Sequence, residues 1–368
     1  MNLQMNKVVR MDRIKFCELL DYEQPQKYIV PNELYDENGE YPVLTAGKSF
    51  ILGRTNDYNE VYNTLPTIIF DDFTCDCKYV DFPFVVKSSA MKMLTPKNET
   101  VDLKFCYYYM KYIDYKISEH KRHWISIYSQ ISIKKYDLPT QQKIVEELDC
   151  LSDIIEKKKK QLSDFDELIK SKFVEMFGHY NKKELRDFVT FFSGYAFKSQ
   201  LFQDYGIPII RISNIQNGEI DLNVVYYPES EVAGLEKYKL QFNDILIAMS
   251  GATTGKVGLF KEKRKFLLNQ RVGCIRPIIG KSTSNFLFVY LNSERIQSEI
   301  LEISAGCAQP NISGAQILSI QIPDVPLNEQ ILFNEFVQLI DKSKLELKQS
   351  IEETQNLFNE RMQYYFGE

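Results

Sequence analysis

Leu138-Pro139-Thr140-Gln141-Gln142 opens a long charged segment that closes at Phe177-Gly178, and Val325-Pro326-Leu327-Asn328-Glu329-Gln330 opens another that closes at Phe366-Gly367. The second copy follows the first by 187 to 189 positions. In the first, Ile144, Leu148, Leu151, Ile155, Leu162, Phe165, Ile169 and Met176 advance in steps that fit a repeat of 3.5, with Lys158 interrupting. In the second, Phe333, Val337, Ile340, Leu347, Ile351, Phe358 and Tyr365 keep the same spacing, with Lys344, Thr354 and Arg361 as polar interruptions. That is the stripe of a coiled-coil helix, and neither segment holds an internal proline. Each helix is expected to run about 33 to 36 residues, roughly 50 Å at 1.5 Å per residue. A stripe left alone would face water, so each helix needs a partner. The nearest is the other copy, which predicts an intramolecular antiparallel coiled coil.

The order is therefore domain, helix, domain, helix, and 368 residues exceed what one hydrophobic core usually serves. The boundaries read as an N-terminal domain over 1–140, a spacer helix over 141–178, a second domain over 179–326 and a C-terminal spacer helix over 327–368. Short strands punctuated by turns fill the second domain: Ile207–Ser213, Asp244–Met249, Lys256–Phe260 and Cys274–Pro277, with a turn at Asn217-Gly218 and helical spacing over Asn285–Ile300. The first domain offers Tyr41–Leu44, Thr67–Phe70, Lys78–Asp81 and Phe84–Lys87, then a helical Phe105–Ile117. Both are α+β and strand-rich, so the fold class is two such domains separated by two paired helices in a pseudo-twofold repeat. Near the end of each, Arg122-His123-Trp124-Ile125-Ser126 and Gln309-Pro310-Asn311-Ile312-Ser313 recur at the same offset, a shared Ile-Ser frame carrying different neighbours.

Hydrophobic residues make up 44% of the chain and charged residues 26%, and no apolar run approaches the eighteen or so residues that span a bilayer. The start lacks the apolar core of a secretory signal, which places the protein in the cytoplasm. Seven cysteines (17, 75, 77, 106, 150, 274 and 307) without CxxC spacing and three histidines (120, 123 and 179) are a poor inventory for zinc or disulfides. Cys75 and Cys77 read as packed or loop thiols. The formal charge of −5 averages over local excesses. Seven basic residues from Lys256 to Arg276 face only Glu262, and six from Lys111 to Lys135 face Asp114 and Glu119.

Gly251-Ala252-Thr253-Thr254-Gly255-Lys256 has three residues between its glycines and Val257 after the lysine, whereas a phosphate loop needs four and then Ser or Thr. It fits instead a tight turn whose amides and lysine approach a nucleic-acid backbone. Asn269-Gln270-Arg271 offers side chains that pair with adenine and guanine edges, although three adjacent strand residues cannot all face one groove. Asp71-Asp72-Phe73 ends a strand and shapes a turn, and Asp153, Glu156 and Lys158 lie on the striped helix, where charges are expected. No catalytic constellation emerges, so the chain reads as non-catalytic, with no cofactor and no metal of its own.

Together these residues resemble the specificity subunit of type I restriction-modification systems along nearly the whole chain. In the second half the resemblance rests on Ser193-Gly194-Tyr195-Ala196-Phe197-Lys198, Ile207–Ile215, Asp244–Ile247, Ser250-Gly251 with Gly255-Lys256-Val257-Gly258, Leu268–Val272 and Gln309–Ser313. The first half departs from that pattern and looks like another subclass of recognition domain, with Glu23–Val30, Pro42–Lys48, Ile69–Thr74 and Phe84–Met91. The resemblance implies an asymmetric, bipartite double-stranded DNA target, each domain reading one half. It also implies two methyltransferase subunits acting on adenine and motor-nuclease subunits for restriction, those partners binding S-adenosylmethionine and ATP. Expected DNA-contacting residues are Lys48, Arg54, Lys87, Ser88, Arg122 and Trp124 in the first domain, and Lys198, Arg211, Asn214, Thr253, Lys256, Gln270 and Arg271 in the second. The rival readings are a coiled-coil scaffold whose two domains bind proteins and, less well supported, an enzyme acting on nucleotides.

Overall fold

The computed structural model describes residues 12–31, 35–47, 49–113, 122–216, 218–304 and 310–367. Lys48, the Asn217 turn position, His120, Cys307 and Gln309 lie outside them, as do Lys116 and Lys121 of the first basic run. The chain divides into two compact units, one from residues up to Lys158 together with Gln349 onward, the other from Lys159 to Lys348.

Two helices of 40 residues, Leu138–Phe177 and Leu327–Phe366, carry the repeated segments, and their first and last residues are each 189 positions apart. Each proline sits at the helix start, where its missing N–H costs nothing. Opposite ends of the two helices share each unit, so the pairing is antiparallel. In the N-terminal unit Ile144 and Leu148 share a buried cluster with Met362 and Phe366, and Ile155 is buried further along; in the other, Ile169, Phe173 and Phe177 cluster with Phe333, Val337 and Ile340. The polar interruptions find polar partners on the opposite helix. Lys158 Nζ donates to Ser350 Oγ at 2.7 Å and Thr354 Oγ1 at 2.8 Å. Lys344 bonds to Asp166, and Arg361 Nε lies 2.8 Å from Glu147. Of the run Lys157 to Lys160, only Lys158 turns toward the seam, while the other three are exposed.

The two domains share the strand order of their main sheets despite their unlike sequences, and the C-terminal unit adds a short pairing of Ile215–Gln216 with Glu219–Ile220. In the N-terminal unit a four-stranded antiparallel sheet runs Leu20–Glu23, Met91–Pro96, Thr67–Asp71, Cys77–Val80. In the C-terminal unit its counterpart runs Val189–Ser193, Val272–Pro277, Ile245–Ala248, Val257–Leu259. Each unit adds a three-stranded sheet with one parallel pairing, Tyr41–Leu44 beside Val85–Val86 and Ile207–Ile210 beside Leu267–Leu268. Each also pairs a strand from its start with one from its end, Arg13–Lys15 with Ser132–Lys134 and Lys182–Glu184 with Gln321–Pro323. The subclass difference read from sequence is thus one of side chains and loops, not of strand order.

Two glutamines explain why the proline segments repeat. Gln141, 4% exposed, accepts from Asp102 N at 2.9 Å and donates to the carbonyls of Tyr136 and Thr100 at 2.9 and 3.3 Å. Gln330, fully buried, accepts from Thr283 N at 3.0 Å and donates to the carbonyls of Val325 and Lys281 at 2.8 and 3.3 Å. Asp102 and Thr283 are the residues just before the short helices Leu103–Tyr112 and Ser284–Leu291. Each long helix is therefore latched to the start of its domain's short helix through main-chain groups.

Several sequence expectations change. The tract 285–300 is two helices, Ser284–Leu291 and Glu294–Ser304, broken at Asn292-Ser293. Arg211–Asn214 leaves the strand and forms a tight helical turn held by Asn214 Oδ1, which accepts from Arg211 N at 3.0 Å. The isoleucine of the Ile-Ser frame is buried in one copy only. Ile312 is fully buried and Ser313 caps the helix Gly314–Leu318, accepting from Gln316 N. Ile125 is 57% exposed, and Trp124 takes the buried place.

Candidate nucleic-acid interface

In the C-terminal unit the quoted motifs converge on one surface through main-chain bonds. Gln270 and Arg271 form the exposed turn between strands Leu267–Leu268 and Val272–Pro277, not a strand edge. Gln270 N donates to Tyr195 O at 2.9 Å, and Met249 N donates to Arg271 O at 2.9 Å. The loop 250–256 lies next to this turn. Gly251 N donates to Pro310 O at 3.2 Å, and Thr253 Oγ1 reaches Ile212 O at 3.5 Å. Lys256 N donates to Thr253 O at 3.0 Å, closing the loop on itself. The loop joins two strands rather than a strand to a helix, which removes the geometry a phosphate loop requires.

Glycines allow this packing. A Cβ at Gly194 would sit 2.1 Å from Leu268 O, so only glycine lets the Tyr195 segment approach the turn. Gly255 has φ +85°, a left-handed conformation that L side chains rarely adopt.

Lys198 is exposed at the start of the turn Ser199–Leu201, and Arg211, Thr253 and Lys256 are half-buried. The Arg211 guanidinium lies 5.8 Å from the Phe202 ring centre, and its buried Nε meets no acceptor among the described residues. Asn214 does not reach the surface. It is 2% exposed, and its amide nitrogen donates to the carbonyls of Asp221 and Asn223, both at 3.0 Å.

The seven-residue basic run breaks up when folded. Arg276 grips Asp244 with two bonds of 2.7 Å. Lys261 pairs with Asp341 at 3.1 Å, Lys265 with Glu236 at 2.9 Å and Arg264 with Glu262 at 3.7 Å. Lys263 lies over the Phe242 ring. Lys256 and Arg271 are the two on the convergent surface. Local charge sums overcount because they ignore what the chain folds against.

In the N-terminal unit the turn Lys87–Ala90 occupies the topological place of Gln270-Arg271, between Val85–Val86 and Met91–Pro96. Lys87 is exposed, and Ser88 is half-buried with its Oγ accepting from Ala90 N at 3.1 Å. Asp72 N donates to Ala90 O at 2.8 Å, and His123 N donates to Asp72 O at 2.9 Å, so the turn, the loop after Thr67–Asp71 and the exposed Arg122 adjoin. Asp71 shapes its turn as expected, accepting from Phe73 N and Thr74 N, both at 2.8 Å.

Two expected contacts stand apart. Arg54 is spent on the turn before it, donating to Gly39 O at 2.6 Å and Glu40 O at 2.5 Å. Trp124 is 1% exposed, its indole centred 5.1 Å from the Phe70 ring and stacked on Tyr128 at 6.2 Å. Its size buries a core rather than presenting a ring to a base. Two residues outside the expected contacts, Tyr195 and Asn311, also border this surface. Tyr195 is 36% exposed and packs beside Phe197 and Tyr238; Asn311 is exposed and its backbone bridges to Ser250. Asn311 is one of the residues that differ beside the shared Ile-Ser frame, whereas Tyr195 carries no such signal. Among the described residues no group of His, Cys, Asp and Glu is arranged to hold a metal ion, and no helix is long and apolar enough to cross a membrane.

Duplicated strand-rich domains with converging polar loops, carried on two long paired helices, define a two-module recognition subunit. The chain belongs to the type I restriction-modification DNA specificity family, whose domain model matches residues 15–163 and 178–355. It is 31% identical over 364 residues to the EcoR124I/EcoR124II specificity subunit of Escherichia coli, covering 91% of this chain and 87% of that protein. Against the EcoKI specificity subunit of Escherichia coli the identity is 31% over 175 residues, 44% of this chain and 36% of that one. The crystal structure of the type I S subunit from M. genitalium superposes with a TM-score of 0.62 at 16% identity, over 100% of this chain and 98% of that one. A type I complex structure gives 0.54 at 13% identity over 94% and 96%.

Proposed function

We propose that the chain recognises an asymmetric, bipartite DNA sequence, each domain reading one half-site while the helices set the distance between them. The division runs 1–140, 141–178, 179–326 and 327–368, domains alternating with spacers. What supports the reading most is the meeting of the Gln270-Arg271 turn, the Gly251–Lys256 loop and Asn311 on one surface, with its topological counterpart at Lys87–Ala90. Lys87, Arg122, Lys198, Arg211, Lys256 and Arg271 hold phosphates or guanine edges, with Lys48 as a further phosphate contact. Ser88, Thr253 and Gln270 supply neutral hydrogen bonds to base edges. Asn214, Trp124 and Arg54 hold the scaffold beneath these side chains.

The chain performs no chemistry itself. It docks two methyltransferase subunits and, for restriction, motor-nuclease subunits, in the cytoplasm; S-adenosylmethionine and ATP bind those partners. Sequencing the methylome with and without this gene tests the reading. The expected result is one bipartite adenine-methylated motif that vanishes with the gene. A methylome unchanged by the deletion would overturn it, and domains that bind proteins and ignore DNA would favour a scaffold.

A further inference from the structure

An ion pair lies buried in the N-terminal unit where no sequence motif asks for one. Lys92 and Asp72 are 1% and 2% exposed at their side chains, with Lys92 Nζ 2.7 Å from Asp72 Oδ2. The pair gathers the segments around the candidate DNA surface. Lys92 Nζ also donates to Gln24 Oε1 at 2.9 Å, and Asp72 Oδ1 accepts from Trp124 N at 3.0 Å. The Asp72 main chain holds Ala90 and His123, at 2.8 and 2.9 Å. Four segments thus meet on these two residues: the side chains tie the chain after Leu20–Glu23, the loop after Thr67–Asp71 and the Arg122–Ser126 stretch, and the Asp72 main chain adds the Lys87–Ala90 turn.

The other domain shows that the topology does not need this charge. Lys92 sits opposite Phe70, and the matching place opposite Ile247 is Gly273, where a Cβ would lie 2.6 Å from the Phe191 ring. There the corresponding loop is held by neutral bonds, Gly251 N and Thr254 Oγ1 to Pro310 O at 3.2 and 3.0 Å. Moving two charges out of water is costly enough that apolar replacements of such pairs are often neutral or stabilising, so the pair is poorly explained by stability alone. Charge-assisted bonds do fix direction, which an apolar contact does not.

We propose that Asp72 and Lys92 are positioning residues for DNA recognition, fixing the Lys87–Ala90 turn against the Arg122–Ser126 stretch in the geometry that reads the half-site of the N-terminal domain. This rests on the DNA reading above. The two half-sites give an internal control. The variant Lys92→Met with Asp72→Asn removes both charges while keeping an acceptor for Trp124 N. Expressed with the cognate methyltransferase subunits, it is expected to keep its circular dichroism and its selectivity at the half-site of the C-terminal domain. Discrimination at the other half-site, read by sequencing methylated plasmid libraries, should fall about tenfold, the order of one mismatched base pair. Gln24→Leu, which leaves the ion pair intact and removes only its third arm, should give a smaller loss at the same half-site. Unchanged discrimination in both variants, or equal loss at both half-sites, would overturn the proposal. A parental complex that methylates no defined sequence would instead overturn the DNA reading.

Discussion

Lys158 of the first long helix and Thr354 of the second meet at 2.8 Å, each a polar residue that breaks its own apolar stripe. A polar residue at a seam position fixes register and partner at some expense of stability. Lys158→Leu with Thr354→Val should therefore hold or raise stability, by up to about 1 kcal/mol, while loosening the choice of partner. The check is light scattering across a concentration series. Oligomers above those of the parent are expected, and an unchanged mass at every concentration would count against a pairing role.

Gln330→Leu should destabilise the C-terminal unit by about 2 to 4 kcal/mol, because it strands Thr283 N and two carbonyls in a fully buried place. Gln141→Leu should do the same to the N-terminal unit. Denaturant unfolding with hydrogen exchange would localise each effect, and a loss spread evenly over both units would contradict the latch.

Arg271→Ala and Arg276→Met, five residues apart, should fail differently. Arg271 is exposed on the candidate surface, so its loss should reduce discrimination at one half-site by about 1 to 3 kcal/mol with an unchanged melting point. Arg276 neutralises Asp244, whose side chain is 2% exposed, and removing it should cost about 3 kcal/mol of stability through the carboxylate left behind. Calorimetry alongside the methylation assay separates the two.

Inserting seven residues before Lys157, matched by seven between Glu353 and Thr354, keeps both stripes in phase. It lengthens the helices by about 10 Å. The preferred spacer between half-sites should grow by up to about three base pairs at 3.4 Å each. An unchanged spacer in the methylome would sink the ruler.

Burial pushes the Cys75 and Cys77 thiols up to about 12, helped by the neighbouring Asp71 at Cys75 and opposed by Lys111 at Cys77. Both should resist alkylation at pH 8, whereas Cys150, exposed on the first long helix, should react first. Unfolded thiols ionise near pH 8.5, so the unfolded chain releases protons there that the folded one keeps. Their contribution to stability is complete below that pH and declines as pH rises toward 12. Mass spectrometry of timed alkylation reads the first effect, and melting points above pH 8.5 the second.

The helices were legible because a 3.5 repeat states its own partner face, and one pair of interruptions, Lys158 and Thr354, proved to match across the seam. Strand positions were legible for a similar reason, period two and turn residues being local signals. What sequence could not supply was the use made of each polar side chain. Arg276 and Arg271 look alike in the string, yet one is held by Asp244 and the other projects from a turn. Trp124 beside His123 and Arg122 read as part of a basic, aromatic contact, but a large ring four residues before the buried Tyr128 serves a fold before it serves a ligand. The common topology was hidden as well, because strand order leaves no trace in the residues facing outward.

The latches at Gln141 and Gln330 grip main-chain atoms, which every residue possesses. The joint is therefore indifferent to what its module carries. Loops can drift as far apart as these two halves have done while the attachment stays the same, so heredity can rewrite the address without redesigning the hinge on which it hangs.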